Sequence, residues 1–351
     1  MPRWINEKWL SAKINEDRTY KKSNSVRNKP LVFIISLIVF VVVGTLAFVL
    51  LPYFRPVKIQ TKEYIYILKG DEVKVSKYLG NDETVIIPDS YLGRPITSIG
   101  VECFSNMYSL ESVFIPDTVS IIREETFYNC KNLKSVKAKN IVKVEAGAFM
   151  EDENLQIVDL GTHLETIDEA AFKYCKSLEY IPSRDSLKTI GQMAFEFSGL
   201  TEVGDLAGVN IESMDIFDCT PWMENQTGDY VSIGDVLIKY RGEGSISVIP
   251  EGVKTFAVAY EGNPDRKISV YIPSTTTRIA SYALIASENY TLYIPKSVDS
   301  IVDINDCDNL DDKSCKIITV SGSYAEQYAK EHGMNYEIVD GWEVPEEDSA
   351  E

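Results

Sequence analysis

The sequence predicts an elongated solenoid behind a membrane-spanning helix, with parallel strands on one face of the solenoid and short turns or 3-10 segments on the other. Three observations predict it. Phenylalanines recur at Phe104, Phe127, Phe149, Phe172, Phe195 and Phe217, at steps of 23, 22, 23, 23 and 22 residues. Three further apolar columns keep register with them. A run of 21 residues without a charge, Leu31 to Leu51, lies ahead of the array. Units this short cannot bury an apolar face alone, so neighbours stack and each column becomes a rib of one continuous core.

From the amino terminus, residues 1–30 carry eight Lys/Arg against three Asp/Glu in a chain of net charge −18, so the arm is +5 and the remainder −23. That acidity excludes a nucleic-acid partner, because phosphate contacts need clustered Lys/Arg. Trp4, Trp9 and Leu10 have the spacing of one face of a short amphipathic helix, suited to anionic lipid or to a cytoplasmic partner. Residues 31–51 are long enough to cross a hydrocarbon core of about 30 Å at about 1.5 Å per residue. A cleaved signal peptide is the competing account, but its apolar core stops near 15 residues and ends in small residues. Here Pro52, Tyr53 and Phe54 follow. The excess of Lys/Arg before the helix places the arm in the cytoplasm and the acidic part outside, as a single-pass protein on an uncleaved signal anchor.

Beyond the helix come a juxtamembrane linker at 52–62, a cap at 63–95, regular repeats at 96–225, degenerate repeats with a closing cap at 226–340, and an acidic tail at 341–351. One column lies eight residues before the phenylalanines: Ile96, Val119, Ile141, Leu164, Leu187 and Val209. Another lies five before, as Ile99, Ile122, Val144, Ile167 and Ile190, and fails at Glu212. A third lies six after, as Leu110, Leu133, Leu155 and Leu178, then slips to Leu200 and Met223. In LESVFIP, Leu110 to Pro116, Val113 and Ile115 alternate with Phe114 as in a strand with one buried face. Pro116 ends it, having no N–H for the ladder. LQIVDLG, Leu155 to Gly161, repeats the pattern with Val158 and Leu160 inward.

The stretch from Val85 to Val136, with its Ile-Pro after the strand, its Val-x-x-Ile, its Phe and its Cys, resembles the BspA-type leucine-rich repeat family. The resemblance covers about residues 63–340 and implies an α/β-type leucine-rich repeat solenoid. EYIYILKGDEVKVSKYLGNDETVIIP resembles the family's N-terminal hairpin cap, and TPWMENQTGDYVSIGDVLIKYRG an interruption seen within such arrays. ITVSGSYAEQYAKEHGMNYEIV resembles its closing strand and helix; Ser323 with Glu326 forms a capping-box pattern and Gly333 suits the position after a helix end. Ile-Pro recurs at Ile249, Ile272 and Ile294. The alanine before the phenylalanine is present at Ala148, Ala171 and Ala194, but Cys103, Thr126 and Ile216 replace it elsewhere. Between Thr255 and Leu292 only Phe256 and Leu284 stand in for the column, so this half is expected to be less regular and bent.

Chemistry is sparse. Cys130 and Cys175 sit three residues after their phenylalanines but two coils apart, with Asp152 between; at about 4.8 Å per coil they exceed the reach of a disulfide. They are expected to be free core thiols, and Cys103 and Cys219 to lie in the same turn region. Pairing of Cys307 with Cys315 stays open. A nucleophile needs a base, and neither His163 nor His332 belongs to a signature; His163 is expected on the surface. No G-x-S-x-G, H-E-x-x-H or phosphate loop appears. DINDCDNLDD, Asp303 to Asp312, has acidic spacing, but Cys307 and Asp308 stand where a calcium loop needs an oxygen ligand and a glycine. Asn225 and Asn289 begin sequons that matter only in a glycosylating host. No catalytic residue, metal or cofactor is expected.

The exposed face of the parallel sheet remains, since solenoids bind partners on such faces. The candidate residues are Glu111, Phe114, Lys134, Lys137, Gln156, Asp159, Glu179 and Tyr180, of which Phe114 and Tyr180 are aromatics the core columns do not require. The resemblance implies a non-enzymatic surface protein that binds a protein or cell-envelope polymer. A single-pass sensor or membrane-complex subunit with a cytoplasmic partner is the alternative, and an extracellular hydrolase a third class.

Overall fold

The computed structural model describes residues 29–182, 184–204, 206, 208–211, 215–260, 266–284, 289–302 and 315–345. The basic arm, Glu212 of the failed column and the acidic loop from Asp303 with Cys307 lie outside these. The described residues fall into two compact units, one ending at Lys58 and including Leu68–Asp71, the other comprising Ile59–Ile67 and everything from Glu72.

In the first unit, α1 (Lys29–Phe54) is a helix of 26 residues. All its described side chains from Phe33 to Leu50 are exposed. Its end is tied back: Gly70 N–H donates to the Pro52 carbonyl at 2.8 Å, and the Tyr53 hydroxyl donates to Asp71. Among the described residues no helix is long and apolar enough to cross a membrane, so the crossing expected from the sequence is not confirmed.

The second unit is the solenoid. The first strands of the chain are β1 (Val57–Gln60), β2 (Tyr64–Lys69), β3 (Glu72–Tyr78), β4 (Thr84–Ile86), β5 (Ser90–Tyr91) and β6 (Arg94–Ile99), of which Val57, Lys58, Leu68 and Lys69 belong to the first unit. The β2–β3 hairpin caps the array, and β3 pairs in parallel with β6. A first front sheet has the order β11–β9–β7–β4, with β7 (Ser112–Phe114), β9 (Ser135–Lys137) and β11 (Ile157–Asp159), all parallel. Each coil also contributes a two-residue strand to a second parallel ladder: β8 (Ile121–Ile122), β10 (Lys143–Val144), β12 (Thr166–Ile167), β13 (Thr189–Ile190) and β14 (Asn210–Ile211). The sequence reading had turns there. The column five residues before the phenylalanines lies in this ladder, with Ile122, Val144, Ile167 and Ile190 directly in register.

The phenylalanines form the spine. Successive rings from Phe104 to Phe217 stack with centroids 5.1 to 5.9 Å apart and planes within 14°. Tyr78 extends the stack at one end and Trp222 closes it edge-on at the other. All six rings are fully buried. The residue before a ring accepts, through its carbonyl, the N–H of the preceding coil's phenylalanine, as in Phe127 to Ala148 and Phe149 to Ala171, both 2.9 Å, whatever its side chain.

Around the spine the chain visits the left-handed region twice per coil. Glu102, Glu125, Gly147, Ala170 and Met193 do so two residues before the ring, and Asn106, Asn129, Glu151, Tyr174, Phe197 and Cys219 two residues after it. A left-handed residue with a Cβ costs about 1–2 kcal/mol. Here the conformation is held because their N–H groups point along the axis and bond the next coil, as in Glu125 to Ala146 at 3.1 Å and Tyr174 to Glu196 at 3.0 Å. Gly161 is under a different constraint: at φ 82° a Cβ would lie 1.8 Å from the Lys139 carbonyl oxygen. Gly161→Ala is therefore expected to cost at least about 2 kcal/mol in urea denaturation, because backbone, not a flexible side chain, must move.

The second half is more regular than its sequence suggests. After α2 (Pro221–Glu224), capped by Thr220, a hairpin of β15 (Tyr230–Ile233) and β16 (Val236–Tyr240) restarts the array. β18 (Thr255–Tyr260), β20 (Arg278–Ala280) and β22 (Ser300–Val302) continue from β16 in parallel. A second front sheet holds β17 (Ile246–Val248), β19 (Ile268–Tyr271), β21 (Tyr290–Ile294), β23 (Lys316–Val320) and β24 (Tyr336–Val339), all parallel. Phe256 and Leu284 fill the core as expected, together with Leu237, Val270, Leu292 and Ile317. Longer front strands, five residues in β21 and β23, replace the phenylalanine spine as the source of order. α3 (Tyr324–Glu331) begins at Ser323, whose hydroxyl accepts from Glu326 N–H at 3.0 Å, and Gly333 is left-handed beyond its end. Glu326 reaches back to Gly322 N–H, one residue earlier than the usual capping box.

Candidate binding surface

The first front sheet turns Val85, Val113, Val136 and Val158 into the core and the alternate residues outward. Because the strands are parallel and in register, outward residues line up in two rows across the coils. One row is Thr84, Ser112, Ser135 and Ile157; the other is Ile86, Phe114, Lys137 and Asp159. Ile86, Phe114 and Ile157 are 70%, 39% and 49% exposed. Lys137 sits 6.0 Å over the Phe114 ring, and Ser135 bonds Ser112 at 2.9 Å. The surface is thus apolar at both ends, polar in the middle, and rigid.

Of the residues singled out from sequence, Phe114, Lys137 and Asp159 stand on this face. Glu111, Lys134 and Gln156 precede the strands; Glu111 and Lys134 pair at 2.8 Å beside it. Ile86 and Ile157 were not singled out. Strict alternation from the valines, one residue to either side of Val85 and Val158, marks both.

Glu179 and Tyr180 belong to a coil that contributes no front strand. The Tyr180 hydroxyl instead accepts Val158 N–H at 2.9 Å, so it satisfies the open edge of β11 that a further strand would have covered. A groove of about 400 Å³ lies beside it, lined by Gly161, Thr162, Tyr180, Ile181, Ser186 and Glu202 among others. Tyr180→Phe is expected to cost about 0.5–1.5 kcal/mol, the net worth of one hydrogen bond. Hydrogen exchange checks it: the Val158 amide should exchange faster while the Val136 amide does not change.

Ion pairs between equivalent positions one coil apart stitch the flanks. Lys131, Glu153 and Lys176 form a three-coil ladder, with contacts of 3.4 and 3.1 Å, and the hydrogen bond from Lys176 and then that from Lys131 hold the Glu153 carboxyl below its usual range. Lys173–Glu196 and Lys188–Glu165 repeat the device, while Lys143 pairs with Asp168, two residues past its register partner Thr166. Among the described residues most of the thiols are shielded from solvent. Cys103, Cys130, Cys175 and Cys315 are free and buried, and burial pushes Cys103 and Cys315 up to about 12. Cys130 and Cys175 donate to the carbonyls of Phe104 and Phe149, both at 3.1 Å, filling the core corner expected of them. Cys219, in the same turn region, is exposed. His163 is exposed, as expected. Among the described residues no group of His, Cys, Asp and Glu is placed to hold a metal ion.

Residues 97–219 match the family described as BspA type Leucine rich repeat region, in six copies. No curated protein matches the chain. Among solved structures it is similar to a leucine rich cell surface protein from Faecalibacterium prausnitzii, at 23% identity and TM-score 0.39, over 78% of this chain and 97% of that one. It is also similar to a leucine-rich repeat protein from Bacteroides ovatus, at 19% identity and TM-score 0.37, over 74% and 70%. The pneumococcal vaccine antigen PcpA is a third, at 12% identity and TM-score 0.34, over 81% and 99%. The array from residue 97 to residue 219 is a BspA-type leucine-rich repeat region.

Proposed function

We propose that this is a single-pass membrane protein whose repeat domain stands outside the membrane and binds a protein or cell-envelope polymer, without catalysis, through the outward face of the first front sheet. The observation that carries it is the outward pair of rows with Ile86, Phe114 and Ile157 exposed on a rigid parallel sheet. Exposed apolar side chains set among polar residues on one face serve as interface anchors when a partner desolvates them. The uncharged run from Leu31 to Leu51 behind a basic arm supports the anchor and its orientation. Buried thiols whose ionisation is opposed by their surroundings support a non-catalytic role.

Photo-crosslinking in intact cells tests it. A photoreactive residue at Phe114 is expected to give discrete adducts, and one at Lys188, on the flank, none. Adducts formed only from a probe at Trp9 would replace this function with that of a membrane-complex subunit holding a cytoplasmic partner.

A further inference from the structure

The second front sheet also presents an outward row: Val248, Tyr271, Tyr293, Ile318 and Glu337, one residue from each strand in direct register. Tyr271 and Tyr293 stack with centroids 4.2 Å apart and planes 12° apart. This face is not left open. The chain leaves its last strand at Val339 and turns back over the sheet, so that Trp342 meets the Tyr293 ring edge-on, 5.7 Å between centroids and 61° between planes. Tyr293 is two strands in from the sheet edge at β24. Ile318, on the strand between, is only 8% exposed although its row faces away from the core. Behind Trp342 the tail is acidic, with Glu343, Glu346, Glu347, Asp348 and Glu351.

We propose that the segment Asp340–Pro345 is a releasable strap, docked through Trp342 on Tyr293, which covers this part of the outward face of the second front sheet. Only Gly341 separates Asp340 from the tryptophan, and among the described residues no strand pairing holds the segment beyond Val339, so the aromatic contact is its principal attachment there. An edge-on aromatic pair contributes about 0.5–1.5 kcal/mol beyond its area. It is a small contribution, so release needs little free energy. The inference goes beyond the proposed function, which uses the first front sheet, and concerns the second.

Limited proteolysis of the full chain in detergent tests it: Tyr293→Ala is expected to speed glutamyl-protease cleavage after Glu343 by at least about fivefold. Unchanged cleavage overturns the proposal. Phe114 lies on the other front sheet, so failure of its crosslinks and failure of the strap are separate results.

Discussion

Phe149→Ala is expected to destabilise the repeat array by about 5 kcal/mol, the top of the range for a buried aromatic truncated to a methyl. The ring stacks on both sides, 5.2 Å from Phe127 and 5.1 Å from Phe172, and is fully buried. Its removal takes away transfer free energy, leaves a void that its neighbours, tied by inter-coil hydrogen bonds, cannot close, and breaks two stacked contacts of about 0.5–1.5 kcal/mol each. Because each coil touches only its neighbours, the damage uncouples the array at that point. Urea denaturation should show a lower midpoint and a broader transition, and hydrogen exchange should rise in the coils around Phe127 and Phe172 first. Tyr108→Ala, at an exposed position, is the control. A loss below about 1 kcal/mol for Phe149→Ala would mean that the spine is not what holds the coils together.

The second large effect concerns Asp152, which stands between Cys130 and Cys175 in the column three residues after the rings. It is completely buried. Oδ1 accepts Cys130 N–H at 2.7 Å, and Oδ2 has no hydrogen-bond partner among the described residues. Burial raises its pKa well above the ordinary carboxylate value, so the folded state keeps the proton that the unfolded chain gives up. The sign follows from linkage. Above the unfolded pKa, near 3.9, the folded state binds the extra proton, so stability falls as pH rises until the folded pKa is reached. Asp152→Asn keeps the volume and the acceptor but cannot ionise. It is expected to be more stable than wild type at pH 7 by at least about 1–3 kcal/mol, since holding a proton above the unfolded pKa costs about 1.4 kcal/mol per pH unit. The gain should vanish near pH 4. Thermal melts of both chains from pH 4 to pH 8 check this; a gain independent of pH, or a loss at pH 7, would show that Asp152 is ionised and paired.

How much was legible follows from which interactions are periodic. Phe104, Ile99, Ile96 and Leu110 announced their columns because each occupies the same corner of successive coils, and repetition at 22 or 23 residues makes that corner visible without coordinates. Cys130 was legible as a core residue for the same reason. The phase of the front sheet was only partly so. Lys134 and Gln156 are exposed and Glu111 half-buried, but they precede the strands, which are three residues long and begin one residue later. A period of two over three residues leaves a short pattern that a single misplaced boundary shifts. Tyr180 was recognised as an aromatic the core did not need, but its partner, Val158 N–H, is a backbone group 22 residues away and leaves no mark on the sequence.

The sequence by itself determined the solenoid, its repeat length, its N-terminal hairpin and strand–helix closure, and an uncharged run long enough for a membrane. These depend on apolar spacing and capping chemistry, which are local or strictly periodic. Only the tertiary structure decided that the second half is regular without its phenylalanines, since pairing between long front strands is a property of neighbours in space. It alone brought Ile86, Phe114 and Ile157 into one face, placed Asp152 in a dry corner, and laid Trp342 over Tyr293 from a stretch of chain almost fifty residues further on. Contacts of that kind arise where coils meet in register, and register is set by the stack, not by any one unit.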